Sequence, residues 1–197
     1  MNDDVLNVLA VLGSSGQKGA TRVVLKDIAE RLTAASARVD ILDFQAEPLP
    51  LFNPETAYAA PGYSALQTRV AQADVILLVT PDYHGCMSST LKNFLDHFWK
   101  EYAGKLFAPV VASYDKGLTV TDQIRTVARQ CYAWCLPYGV VFADKTDLIN
   151  GEVLSEGLQA RVDMLVRDIQ VYGALLAKQR QVDLAGTGPG YLARYRG

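Results

Sequence analysis

The stretch Val75-Ile76-Leu77-Leu78-Val79-Thr80-Pro81-Asp82-Tyr83-His84-Gly85-Cys86-Met87-Ser88-Ser89 decides the fold class. Its five consecutive aliphatic residues show no polar alternation. They read as a central parallel strand covered by helices on both faces, because a sheet with one wet face alternates. The run breaks at a proline, an aspartate and a glycine, and a helical period follows at once. Met87, Leu91, Phe94, Leu95, Phe98, Trp99 and Tyr102 recur at steps of three and four, while Lys92, Asp96, Lys100 and Glu101 take the other side. Ser88 or Ser89 can cap this helix, expected over residues 88–102. The aromatic stripe is expected in the core or at a subunit interface, and His97 on the solvated face.

Working outward, further aliphatic runs at residues 5–12, 38–44, 108–114 and 139–143 alternate with helical patterns at 21–34, 62–72, 119–135 and 155–178. Strands alternating with helices mark an α/β domain. Three prolines between Glu47 and Pro54 exclude regular structure there and predict a surface loop after the second strand. The division expected is one domain over residues 1–180 and a C-terminal extension over 181–197, either loosely ordered or an arm on a partner subunit.

The first strand ends in Gly13-Ser14-Ser15-Gly16-Gln17-Lys18-Gly19-Ala20-Thr21-Arg22, inside which a helix begins. A glycine-rich turn lets backbone approach an anion closely, and the free N–H groups of the helix start then hold it. A turn with no ligand is the plainer reading of the same residues. The stretch is not a Walker loop, since Lys18 stands where the second glycine is needed, and Ser15 breaks the dinucleotide fingerprint. A second polar loop, residues 80–89, lies at the end of the third strand. In a doubly wound sheet, the loops after neighbouring strands flank the crevice where ligands bind.

Thr80-Pro81-Asp82-Tyr83-His84-Gly85-Cys86, followed by Leu91-Lys92-Asn93 and Asp96, resembles the signature of the NADPH-dependent FMN reductase family of flavodoxin-like proteins. The proline-rich segment is similar to that family's loop after strand two. The resemblance covers roughly residues 5–178. It implies a flavodoxin-like three-layer sandwich with a five-stranded parallel sheet of order 2-1-3-4-5. It also implies bound FMN at the carboxyl edge and NAD(P)H as co-substrate. Ser14 and Thr21, helped by backbone near Gly19 and Ala20, match phosphate-binding positions. Pro81, Asp82, Tyr83, His84 and Gly85 match the turn along the flavin ring, and Ser113 remains from the family's third loop. Gly16 and Gly19 stand where the family has an arginine and a serine, which leaves Lys18 or Arg22 to supply charge. Asp115 introduces an acid into the third loop.

The implied activity is ping-pong hydride transfer from NAD(P)H to flavin, then two-electron reduction of a small-molecule acceptor: a quinone, azo, nitro, flavin or metal compound. No acid or base from the protein is required for the first half. His84 is a proton-donor candidate, a lining residue of the pocket mouth, or a surface histidine. The alternatives are a flavin-free or weakly flavin-binding regulatory module and a non-catalytic electron carrier. The family also implies a homodimer or homotetramer.

Composition bounds these readings. The 197 residues are 50% hydrophobic and 20% charged with net charge −2, enough for one core. Without a basic patch, no nucleic-acid or anionic-membrane partner is expected. No aliphatic run approaches the ~20 residues of a membrane helix, and Met1-Asn2-Asp3-Asp4 lacks a secretory start. Three cysteines, Cys86, Cys131 and Cys135, suit a reducing, cytoplasmic setting. Cys131 and Cys135 are expected on one helix, with no further ligand to complete a metal site. Asp43 ends the second strand where a ribose-binding acid sits in dinucleotide folds.

Overall fold

The computed structural model describes residues 5–16 and 19–196. In chain order the elements are β1 (Asn7–Leu12), α1 (Ala20–Ala34), β2 (Arg38–Asp43), α2 (Tyr63–Gln72), β3 (Val75–Tyr83), β4 (Cys86–Met87), α3 (Ser89–Asp96) and β5 (Leu106–Ala112). Then come α4 (Leu118–Gln130), β6 (Trp134–Cys135), β7 (Val140–Phe142), α5 (Asp144–Asp147), β8 (Leu148–Ile149), β9 (Val153–Leu154) and α6 (Glu156–Ala185). The parallel order is β2-β1-β3-β5, and both β6 and β7 pair with β5. The five expected positions are present, the fifth being filled by two short pieces: Trp134 pairs with Leu106, and Val140 with Val110.

The central run is buried on both sides because its residues alternate between two cores. Val75, Leu77 and Val79 join Val8, Ala10 and Leu12 under α1 and α6. Ile76 and Leu78 join Leu9 and Val11 under α2, α3 and α4. Period-two geometry thus turns an unbroken aliphatic sequence into two apolar faces.

Three helix expectations are corrected. The third helix stops at Asp96 rather than continuing to Tyr102, which lies in a separate 3₁₀ turn. The His97 N–H bonds three residues back to Phe94 O, and its Nδ1 lies 2.8 Å from Asn93 O, so the four-back ladder ends there. His97 is buried rather than solvated, its ring edge-on to Phe52 of the proline-rich loop at 5.1 Å. Trp99 leaves the otherwise buried aromatic stripe and is 64% exposed. The fourth helix ends at Gln130, where Tyr132 turns the chain with φ 56°. Cys131 and Cys135 therefore do not share a helix, and burial pushes both thiols up to about 11.

The sixth helix runs to Ala185, and the segment after it folds back on the body rather than trailing loosely. Leu192 is buried, Trp134 donates from Nε1 to Tyr191 Oη at 3.0 Å, and the Arg196 guanidinium donates to Asp183 O and Gly188 O. Among the described residues no helix is long and apolar enough to cross a membrane.

Lys105, just ahead of β5, is 1% exposed. Its ammonium donates to Val70 O and Ala71 O at 2.7 Å each and to Ala73 O, closing the carboxyl end of α2. Burial pulls its pKa down to about 7, with Arg180 adding to the effect and the Asp74 and Glu101 carboxylates opposing it. Lys105→Met fits the apolar stem but strands these carbonyls. It should cost about 3 kcal/mol, read as a lower urea midpoint at unchanged slope. An unchanged midpoint would show that the cap is dispensable.

Candidate functional site

Three loops come together at the carboxyl ends of β1, β3 and β5, which are neighbours in the sheet. Gly13 follows β1 directly and donates its N–H to Val79 O of β3 at 2.7 Å. Ser88, the N-cap of α3, donates its hydroxyl to Gly13 O and accepts from Leu91 N at 3.1 Å. Thr80 Oγ1 accepts from Ser88 N at 3.0 Å, so the start of α3 is fixed to both strands.

The first loop enters α1 through Gly19, whose extended conformation provides no side-chain cap, and the first turn carries no acidic residue. Helix-start N–H groups without a capping side chain attract an anion. Beside them, Ser14 Oγ and Thr21 Oγ1 are both buried and lie 2.9 Å apart in one hydrogen bond. The expected phosphate residues Ser14, Gly19, Ala20 and Thr21 are therefore adjacent. Lys18 lies outside the described residues. Arg22 is committed elsewhere: its Nη1 lies 2.5 Å from Asp43 Oδ2. That hydrogen bond holds the Asp43 carboxyl below the usual carboxylate range, so the acid stays ionised and offsets the Arg22 charge. Asp43 thus has a partner within the chain, in place of the ribose-binding part weighed for it. The Arg22 Nε is buried with no hydrogen-bond partner among the described residues.

The second loop differs from expectation. It is a β-hairpin rather than a direct passage from strand to helix: Tyr83 pairs with Cys86 and Asp82 with Met87. The two turn residues, His84 and Gly85, have φ 58° and 77°, the pair of positive values that a type I′ turn requires. Asp82 braces the turn, accepting from Gly85 N at 2.7 Å with one oxygen and from Ser113 Oγ at 2.8 Å with the other. Pro81 stays in register with Ala112 of β5, while Tyr83 and His84 are exposed. Ser113 is buried and also accepts from Asp115 N at 3.1 Å, which fixes the third loop at its first step. Asp115 itself is exposed.

Gln123 of α4 escaped sequence reasoning. Its Oε1 accepts from Met87 N at 3.0 Å and its Nε2 donates to Gly85 O at 3.1 Å, so one side chain clamps the turn and the returning arm of the hairpin. The contact spans 36 to 38 residues, and nothing local in the sequence signals it. Among the described residues no group of three or more His, Cys, Asp or Glu is placed to hold a metal ion. A cleft of about 920 Å³ lies away from these loops, against α2, the end of α3 and the C-terminal segment. A smaller one of about 630 Å³ includes Gly19, Ala20 and Arg22. Size alone does not mark the site here; the convergence of loop backbone, buried hydroxyls and helix start does.

The chain is 29% identical over 171 residues to an NADPH azoreductase of Bacillus sp. (strain OY1-2), covering 85% of this chain and 92% of that relative. It is 30% identical over 99 residues to an FMN-dependent NADPH-azoreductase of Staphylococcus haemolyticus, covering 48% and 53%. Among solved structures, an NADH:FMN oxidoreductase in apo form superposes with TM-score 0.71 at 14% identity, over 85% of this chain and 90% of that one. An NAD(P)H:acceptor oxidoreductase of Paracoccus denitrificans gives 0.67 at 20% identity, over 84% and 98%. A flavodoxin from the Archaea gives 0.58 at 11% identity over 86% and 99%, so the shared feature at this level is the flavodoxin-like fold. Residues 6–147 match the family model described as NADPH-dependent FMN reductase, and this chain belongs to that family.

Proposed function

We propose that the chain binds FMN at the carboxyl edge of the sheet and works as an NAD(P)H oxidoreductase in a ping-pong cycle. Its acceptor is a small quinone, azo, nitro or flavin compound or a metal species. The observation that carries this reading is the α1 start: helix N–H groups with no side-chain cap beside two buried hydroxyls. The orphaned Arg22 Nε in the same first turn fits an anionic group as well. Azoreductase relatives support the acceptor class.

Ser14, Thr21 and the backbone of Gly19 and Ala20 would hold the phosphate, and the turn from Pro81 to Gly85 the ring. When bound, FMN supplies the two-electron chemistry, accepting hydride from a nicotinamide and returning it to the acceptor. The chain's own part is positional. Asp82 and Gln123 hold the hairpin rigid, so the backbone groups of the turn keep fixed directions. Exposed Tyr83 and His84 border the face open to substrates. Asp43 offsets the Arg22 charge, which favours a second reading, a relative that binds flavin only weakly.

A fluorescence titration with FMN separates the two readings, followed by NADPH oxidation in the presence of a quinone or azo compound. Saturable binding and acceptor-dependent NADPH loss are expected; a protein that neither retains FMN nor consumes NADPH sinks the proposal. Ser14→Ala combined with Thr21→Ala should weaken FMN binding ten- to a hundredfold, about 1.4 to 3 kcal/mol, with the melting curve little changed. Unaltered affinity would remove these hydroxyls from the site. Asp43→Asn leaves Arg22 with its full charge, so FMN should bind several-fold tighter, and the gain should shrink as salt is raised. Asp82→Ala, which frees both Gly85 N–H and Ser113, should raise the FMN dissociation constant about tenfold. Equal affinity in that variant would show that the hairpin needs no brace.

A further inference from the structure

The charges of this chain are paired unevenly. Arg22, Arg31, Arg69, Arg125, Arg161 and Arg167 each have a carboxylate within ion-pair distance. Lys100, Arg180, Arg194 and Arg196 have none among the described residues, and these four line one cleft of about 510 Å³. Arg194 is braced rather than neutralised, lying 4.7 Å over the Tyr132 ring and donating to Tyr132 Oη at 3.1 Å. Arg180 donates from Nε to Ala103 O at 2.8 Å, and burial lowers its pKa, with Asp74 opposing the shift. Arg196 bonds only backbone carbonyls. Two acids are close: Glu101, whose oxygens accept from Gln67 Nε2 and Trp99 N, and Asp74, which accepts from Asn7. Positive charge remains in excess.

Two of these cations, Lys100 and Arg194, together with Glu101, also line the 920 Å³ cleft, which continues into aromatic walls: Phe52, Tyr58, Tyr63, Phe98 and Trp99. Asp96, at its edge, is paired with Lys92 at 2.6 Å. A volume near 900 Å³ with aromatic sides and a few convergent charges is that of a small-molecule site. The basic end sits by residues 100–105, ahead of β5 and thus at the amino ends of the strands, opposite the three loops described above.

We propose that this cleft is a second binding site, for a small planar anion: an aromatic ring bearing a sulfonate, carboxylate or phosphate. The ring lies against Trp99 and Tyr58, and the anionic group faces Lys100, Arg180 and Arg194. An aromatic wall alone would take neutral rings, and a basic patch alone inorganic ions. Their continuity selects molecules that have both, and guanidinium groups suit flat oxyanions.

The test is calorimetric titration of the full-length protein as purified, with no free FMN and no NADPH, because free FMN is itself a ring bearing a phosphate; the result is then independent of turnover and of the activity proposed above. The probes are 2-naphthalenesulfonate, adenosine 5′-monophosphate, neutral 2-naphthol and inorganic sulfate. Saturable binding of either aromatic anion is expected, at least tenfold tighter than naphthol or sulfate. The tighter of the two identifies an aryl sulfonate or a nucleotide as the source chemistry. Lys100→Ala and Trp99→Ala, both at exposed positions, should each weaken that binding at least tenfold with the far-UV spectrum unchanged. The proposal is overturned if neither anion binds, if naphthol binds equally well, or if the variants bind as the parent does. It is also overturned if sedimentation shows a second copy of the chain closing the cleft.

Discussion

Gly13 is where β1, β3 and α3 meet at contact distance. Its N–H bonds Val79 O, its carbonyl accepts the Ser88 hydroxyl, and a Cβ there would come within 2.8 Å of Leu91 Cβ and 3.0 Å of Val79 O. Any side chain would push the start of α3 off the sheet and open the junction between the first two loops. The candidate site depends on that closeness, because the first loop leaves β1 at Gly13 and β3 leaves its parallel pairing with β5 after Pro81 to form the hairpin. Only a residue without a side chain lets both leave the sheet side by side.

Around this junction the hydrogen bonds form a chain of dependence. Thr80 fixes Ser88, Ser88 fixes Gly13, Asp82 fixes Gly85 and Ser113, and Gln123 fixes Met87 and Gly85. Most of these side chains are partly or fully buried and spend their capacity on backbone groups that would otherwise lack partners. The consequence is a hairpin whose backbone is fixed before any ligand arrives. Preorganisation of this kind lowers the ordering cost of binding, and it suits a site whose chemistry is supplied by a cofactor and whose own task is to hold directions constant.

The sequence was legible where local chemistry and periodicity decide the structure. The run at residues 75–79 gave the central strand, and Gly13, Gly19 and the paired hydroxyls gave the first loop. It was silent where distant segments decide. His97 falls on the polar side of a helical wheel, yet the proline-rich loop covers it. Helix α3 stops at Asp96 because His97 turns its ring nitrogen and its N–H back on the last turn. Cys131 and Cys135 keep a helical spacing, but edge pairing of Trp134 with Leu106 ends the helix first. Tail packing rests on Leu192, a lone apolar residue with no period around it. In each case a contact between remote residues outweighed local preference.

The near-neutral net charge conceals an internal division. At the carboxyl edge of the sheet, Arg22 meets Asp43, and among the described residues the first loop offers an incoming anion the helix-start N–H groups and two buried hydroxyls, which bind by direction. At the other end, cations converge with too few acids to balance them. That cleft attracts anions at a distance and sorts them by the flat walls that follow. One chain of net charge −2 can hold both kinds of surface because its ion pairs concentrate away from the second.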